Sequence, residues 1–200
     1  MKEIELTRGY VAQVDDDDFN WLSKHSWHAH VRKGGTDGHV KDYVSVKTAL
    51  SMKDEEGTTW WRHVTMAGII LDAPSNMIPD HIDGDPLNNC RSNLRLATPA
   101  ENARNVSGLT TFKGKPTTSK HKGVSIIKHD KKPYGPYYYI RAFIGVNGKT
   151  KHLGYFKTEE EAAICFDNAA RLHHGRFARL NFPCWTEQPF NEPELSPVYA

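Results

Sequence analysis

Two hundred residues, 38% of them apolar, suffice for one ordinary domain or two small ones with modest cores. No apolar run nears the roughly 18 residues of a membrane span, and Met1 to Glu5 carries no secretory apolar segment. The expectation is a cytoplasmic chain with no membrane partner. Cys90, Cys165 and Cys184 are odd in number and widely spaced, which excludes a disulfide framework and a pair of metal-binding knuckles and predicts reduced thiols. The net charge of +2 hides a split: residues 1–106 carry 12 Lys+Arg against 16 Asp+Glu, 107–183 carry 14 against 5, and 184–200 carry 0 against 3. A basic segment between acidic ones points to a nucleic-acid-binding module attached to something else.

In chain order, Ile4 to Leu6 and Tyr10 to Val14 predict two short strands parted by Arg8-Gly9. Asp15 to Asp18 read as a solvated turn and a helix N-terminus, since the spacing and glycine of a calcium loop are missing. Phe19, Trp21 and Leu22 belong to that helix. Trp27 to Val31 and Tyr43 to Val46 predict strands joined by the turn Gly34 to Gly38, and Trp60 to His63 a further strand. Val64 to Leu71 predicts a short buried helix. Strands at Ile78 to Ile82 and Leu94 to Ala97 flank the turn signals Asp83-Gly84 and Asp85-Pro86. Thr98-Pro99-Ala100-Glu101 is a capping box with proline at the first helical position, which puts Asn102 in a helix's first turn.

Residues 107–119 are rich in Gly, Ser, Thr and Pro and predict a linker. His121 to Lys128, Tyr137 to Ile144 and Lys149 to Phe156 predict three strands, the last two joined by the hairpin signal Asn147-Gly148. Thr158 to Glu161 is a second capping box, followed by helical spacing to Gly175. Residues 184–200, with three prolines and three glutamates, predict a loose tail. The predicted fold class is α+β: a domain at 1–106, a linker, and a three-stranded antiparallel sheet packed on one helix at 120–183.

The chemistry sits in Asp80-His81…Asn93…Asn102. A carboxylate and an amide oxygen can hold one hard ion, and an imidazole can activate water, which together equip a phosphodiester hydrolase. Taken singly, His81 fits a satisfied structural histidine, Asp80 a turn residue and Asn102 a helix-start residue; the ordered set favours the chemical reading. Neighbours on a strand face opposite ways, so a bend or bulge near Ile82 is needed to bring Asp80 and His81 to one site.

Asp80-His81, Asn88-Asn89, Asn93-Leu94-Arg95 and Asn102 resemble the HNH endonuclease family and its ββα-metal hairpin and helix. The resemblance implies that Asp80 and Asn102 ligate one divalent ion, Mg²⁺ or Mn²⁺. It implies that His81 is the general base and that Asn93 fixes the loop and orients the imidazole. Ile4 to Asp15, Trp21-Leu22 and Trp27 resemble phage-type relatives. His63 matches a His-Arg-Leu segment of theirs, although Val64 stands where their arginine does, and it reads as structural. Arg91, Arg95 and Arg104 are expected to offset repulsion from a phosphate, with Arg95 a DNA contact.

Lys122-Gly123-Val124, Leu153 to Phe156, Thr158 to Ala163, Asp167, Ala169-Ala170 and Leu180 to Pro183 resemble the AP2 DNA-binding domain, whose sheet lies in the major groove. Alternation turns Val124, Ile126, Ile140, Ala142, Ile144 and Leu153 toward the helix. It turns Ser125, Ile127, Tyr139, Arg141, Phe143, Thr150 and His152 outward, as expected DNA contacts. Several of these positions are held by Arg or Trp in plant-type relatives, so sequence preference does not carry over; Arg141 is the candidate for guanine. Lys122, Lys128, Lys131, Lys132, Lys149 and Lys151 are expected at phosphates or solvating the rim. The combined expectation is a site-recognising endonuclease of the phage or mobile-element homing type that acts on double-stranded DNA. It would be a monomer that nicks, with a dimer as the alternative. The rival is an AP2 regulator whose HNH unit is only scaffold.

Overall fold

A computed structural model describes residues 1–32, 43–53, 55–106, 111–112, 115–131 and 135–183, and only the backbone at 111–112, 115–116, 130–131 and 135–136. The expected turn at Gly34 to Gly38, parts of the linker, Cys184 and the tail lie outside the described residues, as does the side chain of Lys131 and all of Lys132. The chain divides into two compact units, Met1–Ala103 and Arg104–Ala200. No described helix is long and apolar enough to cross a membrane.

The first unit opens with β1 (Lys2–Glu5) and β2 (Val11–Val14), an antiparallel pair, followed by α1 (Asp16–Leu22). Strands β3 (His28–Arg32), β4 (Tyr43–Lys53) and β5 (Thr59–Thr65) form an antiparallel sheet in the order β3-β4-β5. β4 runs well past the expected Val46. The extra residues pair with β5, Lys47 opposite Thr65 through Lys53 opposite Thr59. The β-branched Val64 and Thr65 continue β5 instead of starting the expected helix. The helix α2 (Met66–Ile70) begins only after Thr65, whose side chain caps it by accepting the Gly68 amide hydrogen at 3.1 Å. Ala12, Val14, Leu22, Trp27, Val46, Met66 and Ile70 form a shared core. Last come β6 (Ile78–His81), β7 (Leu94–Ala97) and the four-residue α3 (Pro99–Asn102). The strands β6 and β7 are antiparallel, and α3 lies against both.

The second unit contains a short ribbon of β8 (Thr111–Phe112) and β9 (Lys115–Pro116). Then follow β10 (Val124–Lys131), β11 (Gly135–Val146), β12 (Lys149–Phe156) and α4 (Glu159–His174). The sheet order is β10-β11-β12, antiparallel throughout. The Asn147-Gly148 turn has φ of 51° and 74°, the left-handed pair that a two-residue hairpin requires. β10 starts three residues later than the sequence predicts. Gly123 sits at φ +74°, and a Cβ there would run into the Phe166 ring, so the chain turns before Val124. Both halves of the Thr158–Glu161 capping box are present, and Gly175 ends α4. Val124, Ala142 and Ile144 on the sheet pack on Ala162, Ala163, Phe166 and Ala170 of α4.

Candidate active site

The loop between β6 and β7 is held from outside by β2 and α1. The Gln13 amide donates to the Leu87 carbonyl and the Asn89 amide donates back to the Gln13 carbonyl, each at 2.8 Å. The acidic run supplies the second clamp. Asp15 accepts the Arg91 amide hydrogen at 2.7 Å, and Asp18 takes Arg91 Nε and Nη2 on its two oxygens, both at 2.7 Å. Arg91 Nη1 also reaches the Ile70 carbonyl at 3.0 Å. Asp18 is therefore buried rather than solvated. The Arg91 guanidinium holds its carboxyl below the usual range, with Trp21 Nε1 assisting and burial opposing.

Within the loop, Asn93 spends its whole amide on the turn, two bonds to its backbone and one to the Asp83 carboxylate. Its Nδ2 donates to Asp83 Oδ1 and to the Asn88 carbonyl, both at 2.9 Å, and its Oδ1 accepts the Asp83 amide hydrogen at 3.1 Å. Asn93 thus fixes the loop, but the residue that meets the imidazole is Asn89. The Asn89 Nδ2 donates to the Pro86 carbonyl at 3.1 Å, which turns Oδ1 toward His81 Nε2 at 3.3 Å. An amide oxygen can only accept, so the ring carries its hydrogen on Nε2 and its lone pair on Nδ1. Asn89 is 1% exposed and so cannot swing away. Burial pushes the His81 imidazolium below the usual histidine range, against the Asn89 hydrogen bond and the carboxylates of Asp83, Asp80 and Asp85. Burial also opposes the charge on Asp83, but hydrogen bonds from the Asp85 amide, Asn93 and Asn88 outweigh it and hold that carboxyl low.

Asp80 and His81 enter different hydrogen-bonded sets. Asp80 is buried opposite its cross-strand partner Arg95, whose Nε and Nη2 both reach Asp80 Oδ2 at 2.7 Å. Arg95 was expected to contact DNA; instead its side chain is 10% exposed and fixes the carboxylate. β6 ends at His81, and the chain turns at once through Gly84, whose amide donates to the His81 carbonyl at 2.9 Å. Asn102 ends α3, its backbone amide donating to the Thr98 carbonyl at 2.9 Å. The Thr98–Glu101 box that starts this helix is complete. Among the described residues no group of three or more His, Cys, Asp or Glu side chains is placed to hold a metal ion. Asp80 with Asn102 offers two oxygen donors from one acid and one amide.

In the second unit, register puts Ser125 opposite Arg141, Ile127 opposite Tyr139, Phe143 opposite His152 and Gly145 opposite Thr150. These pairs share the face away from α4. A bulge between Ala142 and Phe143 leaves Leu153 as an extra residue, so Tyr155, opposite Arg141, also lies on that face. Strict alternation from His152 hides Tyr155, and His129 and Tyr137 join it two positions beyond Ile127 and Tyr139. The rings form a row: His129 lies 5.2 Å from Tyr139, Tyr139 4.9 Å from Tyr155, and Tyr155 4.7 Å from His152. Arg141 lies 5.7 Å from the Phe143 ring. Its Nε is shielded from solvent with no acceptor among the described residues.

The lysines fall elsewhere. Lys128, Lys149 and Lys151 pair with Tyr138, Val146 and Ile144, on the register of the face that α4 covers, and are exposed at its rim. Lys122 was expected at a phosphate, but its ammonium donates to the Arg104 and Val106 carbonyls, both at 2.7 Å. Burial, with Arg179 nearby and against Asp167, pushes its pKa down to about 8.

A hairpin and a short capped helix presenting Asp, His and Asn define the class. Residues 72–104 match the family model for an HNH endonuclease. An uncharacterized HNH endonuclease of Acanthamoeba polyphaga mimivirus is 31% identical over 176 residues, covering 87% of this chain and 76% of that protein. Protein 3.8 of Escherichia phage T7 is 34% identical over 107 residues, covering 54% of this chain and 78% of its own. No solved structure matches the chain. The chain belongs to the HNH endonuclease family.

Proposed function

We propose that the protein is a DNA endonuclease that hydrolyses one phosphodiester at a time, with His81 as general base. The carrying observation is the run from the Pro86 carbonyl through Asn89 to His81, which fixes one tautomer and keeps Nδ1 as the proton acceptor. Its lowered pKa keeps the ring neutral at physiological pH, as a base must be. Asp80 and Asn102 fit a hard divalent ion by donor chemistry, Mg²⁺ or Mn²⁺ ahead of Zn²⁺. Arg95 grips Asp80 by Oδ2 and fixes the carboxylate's direction. An ion held by Asp80 and Asn102 would supply neutralisation of the charge on the leaving oxygen. Asn93 holds the loop that carries Asn89, and Thr98 with Glu101 presents Asn102.

The second unit supports duplex binding through an AP2-like sheet. Ser125, Ile127, Arg141, Phe143, Thr150 and His152 would face the major groove, and Lys128, Lys149 and Lys151 the phosphates. One site per chain predicts nicking by a monomer. Supercoiled plasmid carrying candidate target sites, incubated with Mg²⁺ or with EDTA, tests the reading. Nicking that needs the ion and falls on the order of 10²–10⁴-fold in His81→Ala supports it. Tight binding without cutting on a verified target supports the alternative, an AP2-type regulator with a non-catalytic HNH scaffold.

A further inference from the structure

We propose that the aromatic end of the second unit's outward sheet face binds unpaired bases, so that the preferred DNA is a duplex carrying a single-stranded extension. The inference rests on the reading that this unit binds DNA, and adds a ligand feature to it.

The face has two chemically distinct ends. Toward the Asn147-Gly148 turn it holds Arg141, Ser125 and Thr150, groups that hydrogen-bond base edges. At the other end stand Tyr137, His129 and Tyr139, with Ile127 beside them, and Tyr155 borders them from its place opposite Arg141. His129 stacks on Tyr137 at 5.4 Å and 14°, and on Tyr139 at 5.2 Å and 24°. It also shares a 2.8 Å hydrogen bond with the Tyr139 hydroxyl, which locks the two rings together. Tyr139 meets Tyr155 edge-on at 4.9 Å. Tyr137 and Tyr155 remain 41% and 61% exposed.

A duplex buries the faces of its bases in its own stack and offers a groove reader only edges and methyl groups. Arg, Lys, Asn and Gln read those edges, and beyond the Arg141–Tyr155 pair the face holds rings and Ile127 instead. A row of rings with Tyr137 and Tyr155 exposed suits the faces of unstacked bases, and base–aromatic stacking tolerates any sequence. The charge complements a strand: residues 107–183 hold 14 Lys+Arg against 5 Asp+Glu.

Anisotropy titrations of the full chain in EDTA would compare a labelled blunt duplex with the same duplex bearing an oligothymidylate overhang. Wild type is expected to bind the overhang DNA about tenfold tighter or more. Tyr155→Ala and His129→Ala should erase that preference and leave blunt-duplex affinity within about twofold, while Tyr155→Phe keeps it. Equal affinity of wild type for both DNAs overturns the proposal, as does an equal loss on both in Tyr155→Ala. Failure to bind either DNA overturns it together with the duplex reading of this unit. Plasmid nicking scores the His81 assignment separately in every case.

Discussion

Asn89 and Arg95 carry the sharpest residue-scale expectations. Asn89→Ala removes the acceptor that selects the His81 tautomer, so nicking should fall about 10–100-fold, read as kcat at saturating plasmid. Asn89→Asp keeps an acceptor there and should retain more activity than the alanine. Arg95→Met strands the Asp80 carboxylate, 5% exposed, without its cation. That should cost about 3–5 kcal/mol, measured as a lower urea midpoint. If Arg95 instead served DNA, the same variant would lose binding and keep its midpoint. Asp18 gives a pH dependence. Its folded pKa lies below the unfolded value, so the unfolded chain binds the extra proton as pH falls. The stability advantage of wild type over Asp18→Asn is thus full above about pH 5 and closes as pH falls through the folded pKa, below about 3.9. Paired denaturation curves from pH 7 to 3 would show it.

At the scale of elements, α3 is the weakest piece that the site needs. Four residues cannot hold a helix without their cap, so Thr98→Ala should cost about 1 kcal/mol and reduce nicking by more than stability alone explains. Local signals were legible in the sequence: both capping boxes, the Asn147-Gly148 hairpin, and the alternation that separates Ile140, Ala142 and Ile144 from Tyr139, Arg141 and Phe143. Each is written within a few residues of where it acts. What the sequence hid was non-local or depended on register. Arg91 meets Asp18 across 73 residues, so nothing beside either one announces the pair. Asn89 stands in the family resemblance without a role of its own, because that role depends on a carbonyl three residues back and a histidine eight residues back. Lys122 looked like a phosphate contact because burial is a tertiary property. Tyr155 was missed because a bulge shifts the alternation by one residue, and a period-of-two reading cannot detect an inserted residue.

For the whole molecule, the proposed function assigns chemistry and DNA capture to separate compact units, which should come apart experimentally. The first unit's best-placed cations, Arg91 and Arg95, are committed to Asp18 and Asp80. Affinity should therefore come from the basic second unit and weaken steeply with salt, log K falling linearly with log salt. His81→Ala should leave that line unmoved, whereas Lys149→Ala should make it shallower by about one counterion.

The bulge at Ala142/Phe143 also bears on how such a chain tolerates changes in length. Because Gly154 already pairs with Ala142 and His152 with Phe143, excising Leu153 would close the ladder into a regular one. Tyr155 would stay on its present side, at the expense of a leucine that packs against both halves of the core. Loss of His152 would close the same bulge but bring Leu153 opposite Phe143, onto the outward face. Natural variants that differ by one residue in this strand should accordingly place the gap at Leu153.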